Sequence, residues 1–227
     1  MSGVQMEVFH NLFSAAAEEM GVSLMRSAFS PNIKERRDFS CAIFDRHGKM
    51  LAHAAHIPVH LGATPLSVNA VIKQCIPKRN ADYILNNPFA GGTHLPDVTI
   101  VRPIFLDQSD QATFYVANRA HHSDVGGVTP GSLPVATRQT FPSGLTIHDE
   151  GVCIDPCLLD DEIFQRFTDG SRLPDERRAD LAAQIAANAA AQSRITQWAA
   201  GSDLEHINRF NQSLIDYSTR ITRQWLN

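Results

Sequence analysis

The chain has 227 residues, of which 43% are hydrophobic and 19% charged, and its formal net charge is −4. This is the composition of an ordinary globular protein, long enough for one large domain or two small ones. The mildly acidic balance argues against a nucleic-acid or anionic-membrane partner, and no apolar run approaches the roughly 18–20 residues needed to span a bilayer.

Residues 4–28 read as a helix, with Val4, Val8, Phe9, Leu12, Phe13, Ala16 and Met20 recurring mostly at three- and four-residue steps. No basic region opens this stretch, and it carries Glu18 and Glu19, so a signal peptide is not expected. Pro31 ends the helix. The charge run from Lys34 to Asp38 stands just before an apolar strand, Cys41–Phe44, where Glu35 or Asp38 could turn a carboxylate into a cleft. Asp45–Lys49 is a hairpin turn with Gly48 free to take positive φ, and Met50–Ala54 is the return strand.

His53, His56 and His60 follow at three- and four-residue steps, but Pro58 intervenes and makes a loop the expectation. Thr64 as N-cap and Pro65 in the first turn open a helix that Pro77 stops. Tyr83–Leu85 is a short buried strand.

The stretch from Asn86 to Gly127 concentrates the chemistry. Gly91-Gly92 permits a tight turn. His94-Leu95-Pro96-Asp97 is an H-x-x-D that Pro96 keeps from being a regular helix, so a turn presents both side chains. Val98–Val101, continued by Ile104–Leu106, and Ala112–Ala117 read as two strands joined by a polar loop. The second delivers the chain to Arg119-Ala120-His121-His122-Ser123-Asp124 and the pair Gly126-Gly127. If the strands form a hairpin, the two His/Asp clusters meet at one of its ends, and imidazole and carboxylate are ligands that divalent metals accept. Eight of the ten histidines lie between His47 and His148.

The chain beyond Gly127 is rich in Gly, Pro and Ser up to Gly144, and Pro130-Gly131-Ser132-Leu133-Pro134 reads as a binding loop or lid. Leu145–Ile147 and Val152–Ile154 read as short strands. Three helical segments follow: Asp160–Phe167, an alanine-rich helix from near Pro174 to about Ala200, and a last one opened by a capping-box-like Ser202-Asp203-Leu204-Glu205. The small residues of the alanine-rich helix imply close helix packing, within the chain or with a partner. Cys41, Cys75, Cys153 and Cys157 have no framework spacing and read as reduced thiols, consistent with a cytoplasmic location. No phosphate loop, dinucleotide fingerprint or nucleophile elbow is present in the sequence. The fold class expected is α+β: a mixed sheet with β-hairpins and flanking helices over residues 1–158, then a helical segment over 159–227.

Five stretches together resemble the N-terminal half of the hydantoinase B/5-oxoprolinase B family, which also includes the larger subunit of acetone-type carboxylases. They are Ser30–Ser40, Ala55–Gly62, Asn86–Asp97, His121–Gly127 and Asp180–Asn188. The resemblance implies a subunit that opens cyclic amides after an ATP-binding A-type subunit activates the carbonyl, or, alternatively, the metal-containing subunit of a carboxylase. It implies a divalent metal (manganese, zinc or iron) on Glu35, His94, Asp97 and His121. His121 is preferred to His122 because relatives can carry Trp at the second position. The resemblance further implies that Asp124 orients an imidazole, and that His56 and His60 line the pocket as proton carriers or contacts to a phosphorylated intermediate. The family usually has Asp where this chain has Asn87, and its members are longer. The chain is therefore expected to be a fragment, one half of a split protein whose C-terminal half is separate, or a truncated relative that only binds a partner.

Overall fold

The computed structural model describes residues 3–106, 109–135, 146–200 and 204–226. Helix α1 (Gly3–Ser27) is followed by a one-turn helix α2 (Pro31–Lys34). Pro31 both ends α1 and opens α2, because its fixed φ suits the first turn of a helix. Then come β1 (Phe39–Asp45), β2 (Met50–His53), α3 (Thr64–Gln74), β3 (Tyr83–Leu85), β4 (Asp97–Ile104) and β5 (Phe114–His121). The chain closes with α4 (Ile147–Glu150), β6 (Cys157–Leu158), α5 (Asp161–Asp169), α6 (Pro174–Ala199) and α7 (Leu204–Leu226).

The strands form one sheet in the order β2-β1-β5-β4-β3-β6. The α+β class, the hairpins and the flanking helices are as expected, and every described pairing is antiparallel rather than mixed. Both faces are covered. Phe39, Cys41 and Ile43 of β1 pack towards α1, while Ala42 and Phe44 pack towards Val68 and Val71 of α3. That is why β1, β4 and β5 read as nearly continuous apolar runs instead of alternating ones.

Helix α6 is buried on two sides. Ala183, Ala187, Ala191, Ile195 and Ala199 recur every four residues and lie in one apolar cluster with Phe13, Ala16, Ala17 and Met20 of α1. Small side chains let two helix backbones approach closely, so the close packing implied by the alanines is made within the chain. On its sheet side α6 carries buried polar groups. Gln184 donates to the Val98 carbonyl at 3.0 Å and to Asn118 Oδ1 at 2.8 Å. Asn118 donates in turn to Asn188 Oδ1, and Asn188 to the Ile100 carbonyl. Asp180 accepts from the Phe29 and Ser30 amides and pairs with the fully buried Arg177. The Asp180–Asn188 stretch is thus the polar seam that fixes α6 to β4, β5 and the end of α1. One apolar cluster runs through α1, the sheet, α6 and Ile207 and Phe210 of α7.

Three local expectations differ from the structure. Ala63 occupies the N-cap of α3, and Thr64 sits inside the first turn, where its hydroxyl donates to the His60 carbonyl at 2.7 Å. Ile147 lies in α4, a turn closed by a Thr146–Asp149 capping box, so no strand forms there; Leu145 lies outside the described residues. Val152–Ile154 is irregular, because its backbone groups bond to Val125, Asn86 and Asn87 singly rather than along a ladder. The expected binding loop Pro130–Pro134 begins with a 3-10 turn, Pro130–Ser132, whereas residues 136–144 of the Gly/Pro/Ser-rich stretch and the capping-box residues Ser202 and Asp203 lie outside the described residues.

Candidate metal centre

Strands β4 and β5 form a hairpin whose register pairs Asp97 with His121 and Thr99 with Arg119. Residues two apart on a strand share a face. Asp97, Thr99, Arg119 and His121 therefore stand together on the α3 side of the sheet, joined by Ser40 of β1, the register partner of Arg119. The same alternation sends His122 to the opposite side. There it is fully buried, with Nε2 2.9 Å from Gln184 Oε1 and its ring edge-on to Phe167.

The Gly91-Gly92 turn brings His94 to the same end. Gly91 has φ +102°, and an added Cβ would lie 2.8 Å from that of Ala70 on α3, so both the conformation and the close approach need glycine. Asn87 caps this turn: its side chain accepts from the Phe89 amide and donates to Asp155.

Asp97 is the hub. Its Oδ1 lies 3.1 Å from His121 Nδ1 and 3.6 Å from His60 Nε2. Its Oδ2 lies 3.0 Å from His94 Nδ1 and accepts from the Thr93 hydroxyl at 2.7 Å. The rings of His94 and His121 are tilted against each other at 5.1 Å. Burial alone would raise the Asp97 pKa. The imidazoles of His121, His60 and His94 and the Thr93 hydroxyl outweigh it and hold the carboxyl far below its usual range. The bond to Asp97 raises the His94 pKa in return, against the opposing effect of burial.

One ligand atom each from His94, Asp97 and His121 lies within 4.8 Å of the others, the spread of a shared cation site. Asp97 is buried while both imidazoles stay partly open to solvent. Two imidazoles and one carboxylate are a donor set suited to zinc, manganese or iron, so the residues present fit a divalent metal.

The other residues expected here are placed differently. Glu35 is exposed at the C-cap of α2, outside the His94–Asp97–His121 group. From the same segment Asp38 comes nearer, with Oδ1 3.7 Å from His60 Nε2. His60 is buried between Asp38, Asp97 and the Ser40 hydroxyl. His56 packs edge-on against Phe39, its carboxylate partner is Glu18 at 3.9 Å, and a Cβ on Gly21 of α1 would fall 2.1 Å from its ring. Its contacts are therefore with α1 rather than the cluster. Asp124 does not orient an imidazole. It accepts from the Gly126 and Gly131 amides and from the Arg172 side chain, and so fastens the loop after β5.

Reading residues one at a time missed Thr93, Ser67 and Arg119. Arg119 is fully buried and donates to Thr99 Oγ1 at 2.8 Å, Ser67 Oγ at 2.6 Å and Thr93 Oγ1 at 3.4 Å. Strand alternation was the available signal for Arg119 and Thr99, each two residues from a cluster member.

A helix-covered antiparallel sheet with two imidazoles and a carboxylate at one hairpin end defines an α+β protein with a candidate cation site. The chain belongs to the Hydantoinase B/oxoprolinase family, whose family model matches residues 2–227. An uncharacterized protein of Methanocaldococcus jannaschii is 40% identical over 224 residues, 96% of this chain and 39% of that protein. The 5-oxoprolinase of Saccharomyces cerevisiae is 38% identical over 196 residues, 82% of this chain and 15% of that protein. The crystal structure of the ATP-dependent caprolactamase from Pseudomonas jessenii superposes with a TM-score of 0.88 at 21% identity, over 100% of this chain and 39% of that chain. The chain thus spans well under half the length of these proteins. No described helix is long and apolar enough to cross a membrane.

Proposed function

We propose that this chain is the metal-bearing part of an ATP-dependent cyclic-amide hydrolase of the 5-oxoprolinase or hydantoinase type. The observation that carries the reading is the convergence of His94, Asp97 and His121 at the open end of the β4–β5 hairpin, in a member of this family. The names of two relatives, a 5-oxoprolinase and an ATP-dependent caprolactamase, support a lactam C–N bond as the bond opened.

His94, Asp97 and His121 would hold the metal. When bound, a divalent cation supplies Lewis-acid polarisation of a carbonyl or lowers the pKa of a water. The chain's own residues do the rest. Asp97 stays ionised and fixes the orientation of both flanking imidazoles. His60 is screened from bulk solvent and touches both Asp38 and Asp97, so it is the imidazole placed to take and return a proton beside the site. The sequence holds no phosphate loop, so activation of the substrate carbonyl by ATP falls to an A-type partner subunit. Further substrate contacts come from the parts of the family's chains that lie beyond this one, whether on a longer chain or a separate one.

Two measurements test this. Purified protein retains about one equivalent of divalent metal, and His94→Ala and Asp97→Ala abolish it; absence of metal from the wild type overturns the reading. Reconstituted with an A-type subunit and ATP, the protein opens 5-oxoproline, hydantoin or a related lactam. ATP-dependent carboxylation of acetone without ring opening would replace the hydrolase with a carboxylase.

A further inference from the structure

Arg119 is, with Arg177, one of the two largest fully buried side chains among the described residues, yet its hydrogen-bond partners there are all neutral hydroxyls: Thr99, Ser67 and Thr93. A buried guanidinium carries a desolvation penalty unless a charge compensates it. Burial pushes the Arg119 pKa down, and the charge that opposes this in part is Asp97, which is reached through a single hydroxyl. Thr93 Oγ1 accepts from Arg119 and donates to Asp97 Oδ2.

The donor and acceptor directions leave one consistent assignment. Arg119 has only protons to give. Thr93 must therefore turn its lone pair to Arg119 and its proton to Asp97. Ser67 Oγ, which accepts from Arg119, likewise gives its proton to the Gly91 carbonyl at 2.5 Å, pinning the turn that carries Thr93 to α3. The guanidinium thus braces Thr93 directly and, through Ser67, the turn before it.

A carboxylate can swing about its terminal torsion, and His121 and His94 pull on different oxygens of Asp97. The Thr93 hydroxyl is the one hydroxyl among the groups bonded to Asp97, the others being imidazoles. Like His60, it lies outside the ligand set. We propose that Thr93 is a positioning residue for the metal centre, transmitting the bracing of buried Arg119 to Asp97 so that the carboxylate is set before a cation arrives. This rests on the metal reading above. It goes further by placing part of the cation affinity in a side chain that never touches the cation.

Thr93 is exposed, so Thr93→Val removes the hydroxyl at nearly constant shape. The test is a chelator-competition titration of the full chain with Zn2+, and the absorption spectrum of the Co2+-loaded protein. Thr93→Val is expected to weaken Zn2+ binding about 10- to 100-fold and to alter the Co2+ ligand-field bands, while the metal-free protein remains folded with a cooperative unfolding transition. Thr93→Ser, which restores the hydroxyl, is expected to bind Zn2+ as the wild type does. Wild-type affinity in Thr93→Val overturns the inference but leaves the metal reading standing. So does a Thr93→Ser as weak as Thr93→Val, which would assign the effect to the methyl group. A wild type that binds neither ion overturns both.

Discussion

Asp97 on β4 and His121 on β5 are register partners, and their side chains meet at 3.1 Å on the α3 face of the sheet. Adjacent His122 bonds Gln184 of α6 on the other face. One residue of strand alternation thus separates a cluster imidazole from a structural one. His121→Ala should lower divalent-metal affinity by two orders of magnitude or more and leave the fold intact. His122→Ala should leave metal binding near wild type and lower the unfolding free energy. Chelator competition and urea unfolding on both variants check this.

Gln184 holds three groups together inside the protein: the Val98 carbonyl, Asn118 Oδ1 and His122 Nε2. Replacing it by leucine leaves those partners buried and unpaired. Each such loss costs about 1–3 kcal/mol, so Gln184→Leu should destabilise the protein by about 3 kcal/mol or more. Urea unfolding reads this as a lower midpoint at unchanged slope.

Gly21 of α1 faces the His56 ring, and a Cβ would meet ring atoms at 2.1 and 2.2 Å. A helical Gly→Ala change ordinarily stabilises by about 0.5–1 kcal/mol. Here Gly21→Ala should destabilise by about 1–3 kcal/mol through overpacking. In a His56→Ala background the same substitution should turn neutral or stabilising, a sign change that a double-mutant cycle detects.

The same histidine gives a pH dependence. Burial lowers its pKa, and the attraction of Glu18 offsets this only in part. The native state therefore binds fewer protons at His56 than the unfolded state does between the lowered value and the ordinary histidine value, about 6.5. In that window stability rises with pH. The contribution is complete above the unfolded value and is lost as the pH falls through the folded one. Unfolding free energies measured from pH 7.5 to 5 should fall less steeply in His56→Gln than in the wild type.

Asp124 draws its pKa down through the amides of Gly126, Arg172 and Gly131 and the Arg172 side chain, against the opposing effect of burial. Asp124→Asn should speed hydrogen exchange at Gly126 and Gly131 and leave Zn2+ affinity unchanged. Lost metal affinity would instead tie this carboxylate to the centre.

Much of the fold was legible in local sequence. The β1–β2 turn needed Gly48, which has φ +74°. The two strands after Asn86 had the length and composition of a hairpin, and the α6 alanines implied close packing. Ile147 and Val152–Ile154 do not form the expected strands because their apolar side chains pack in one cluster with Val125 of the loop after β5, where single hydrogen bonds to Val125, Asn86 and Asn87 replace a ladder.

The sequence by itself determined that imidazoles and a carboxylate would gather near Asn86–Gly127, since glycines, a proline and two strands fix that hairpin locally. Only the tertiary structure decided which of them share one carboxylate. Strand register put Asp97 opposite His121, and the approach of α3 brought Ser67 to Arg119. The loop before α3 brought His60 within 3.6 Å of Asp97, while Glu35 was left in solvent. These are contacts between segments 24 to 52 residues apart. They depend on how elements pack across the sheet, which side-chain spacing along one segment does not encode.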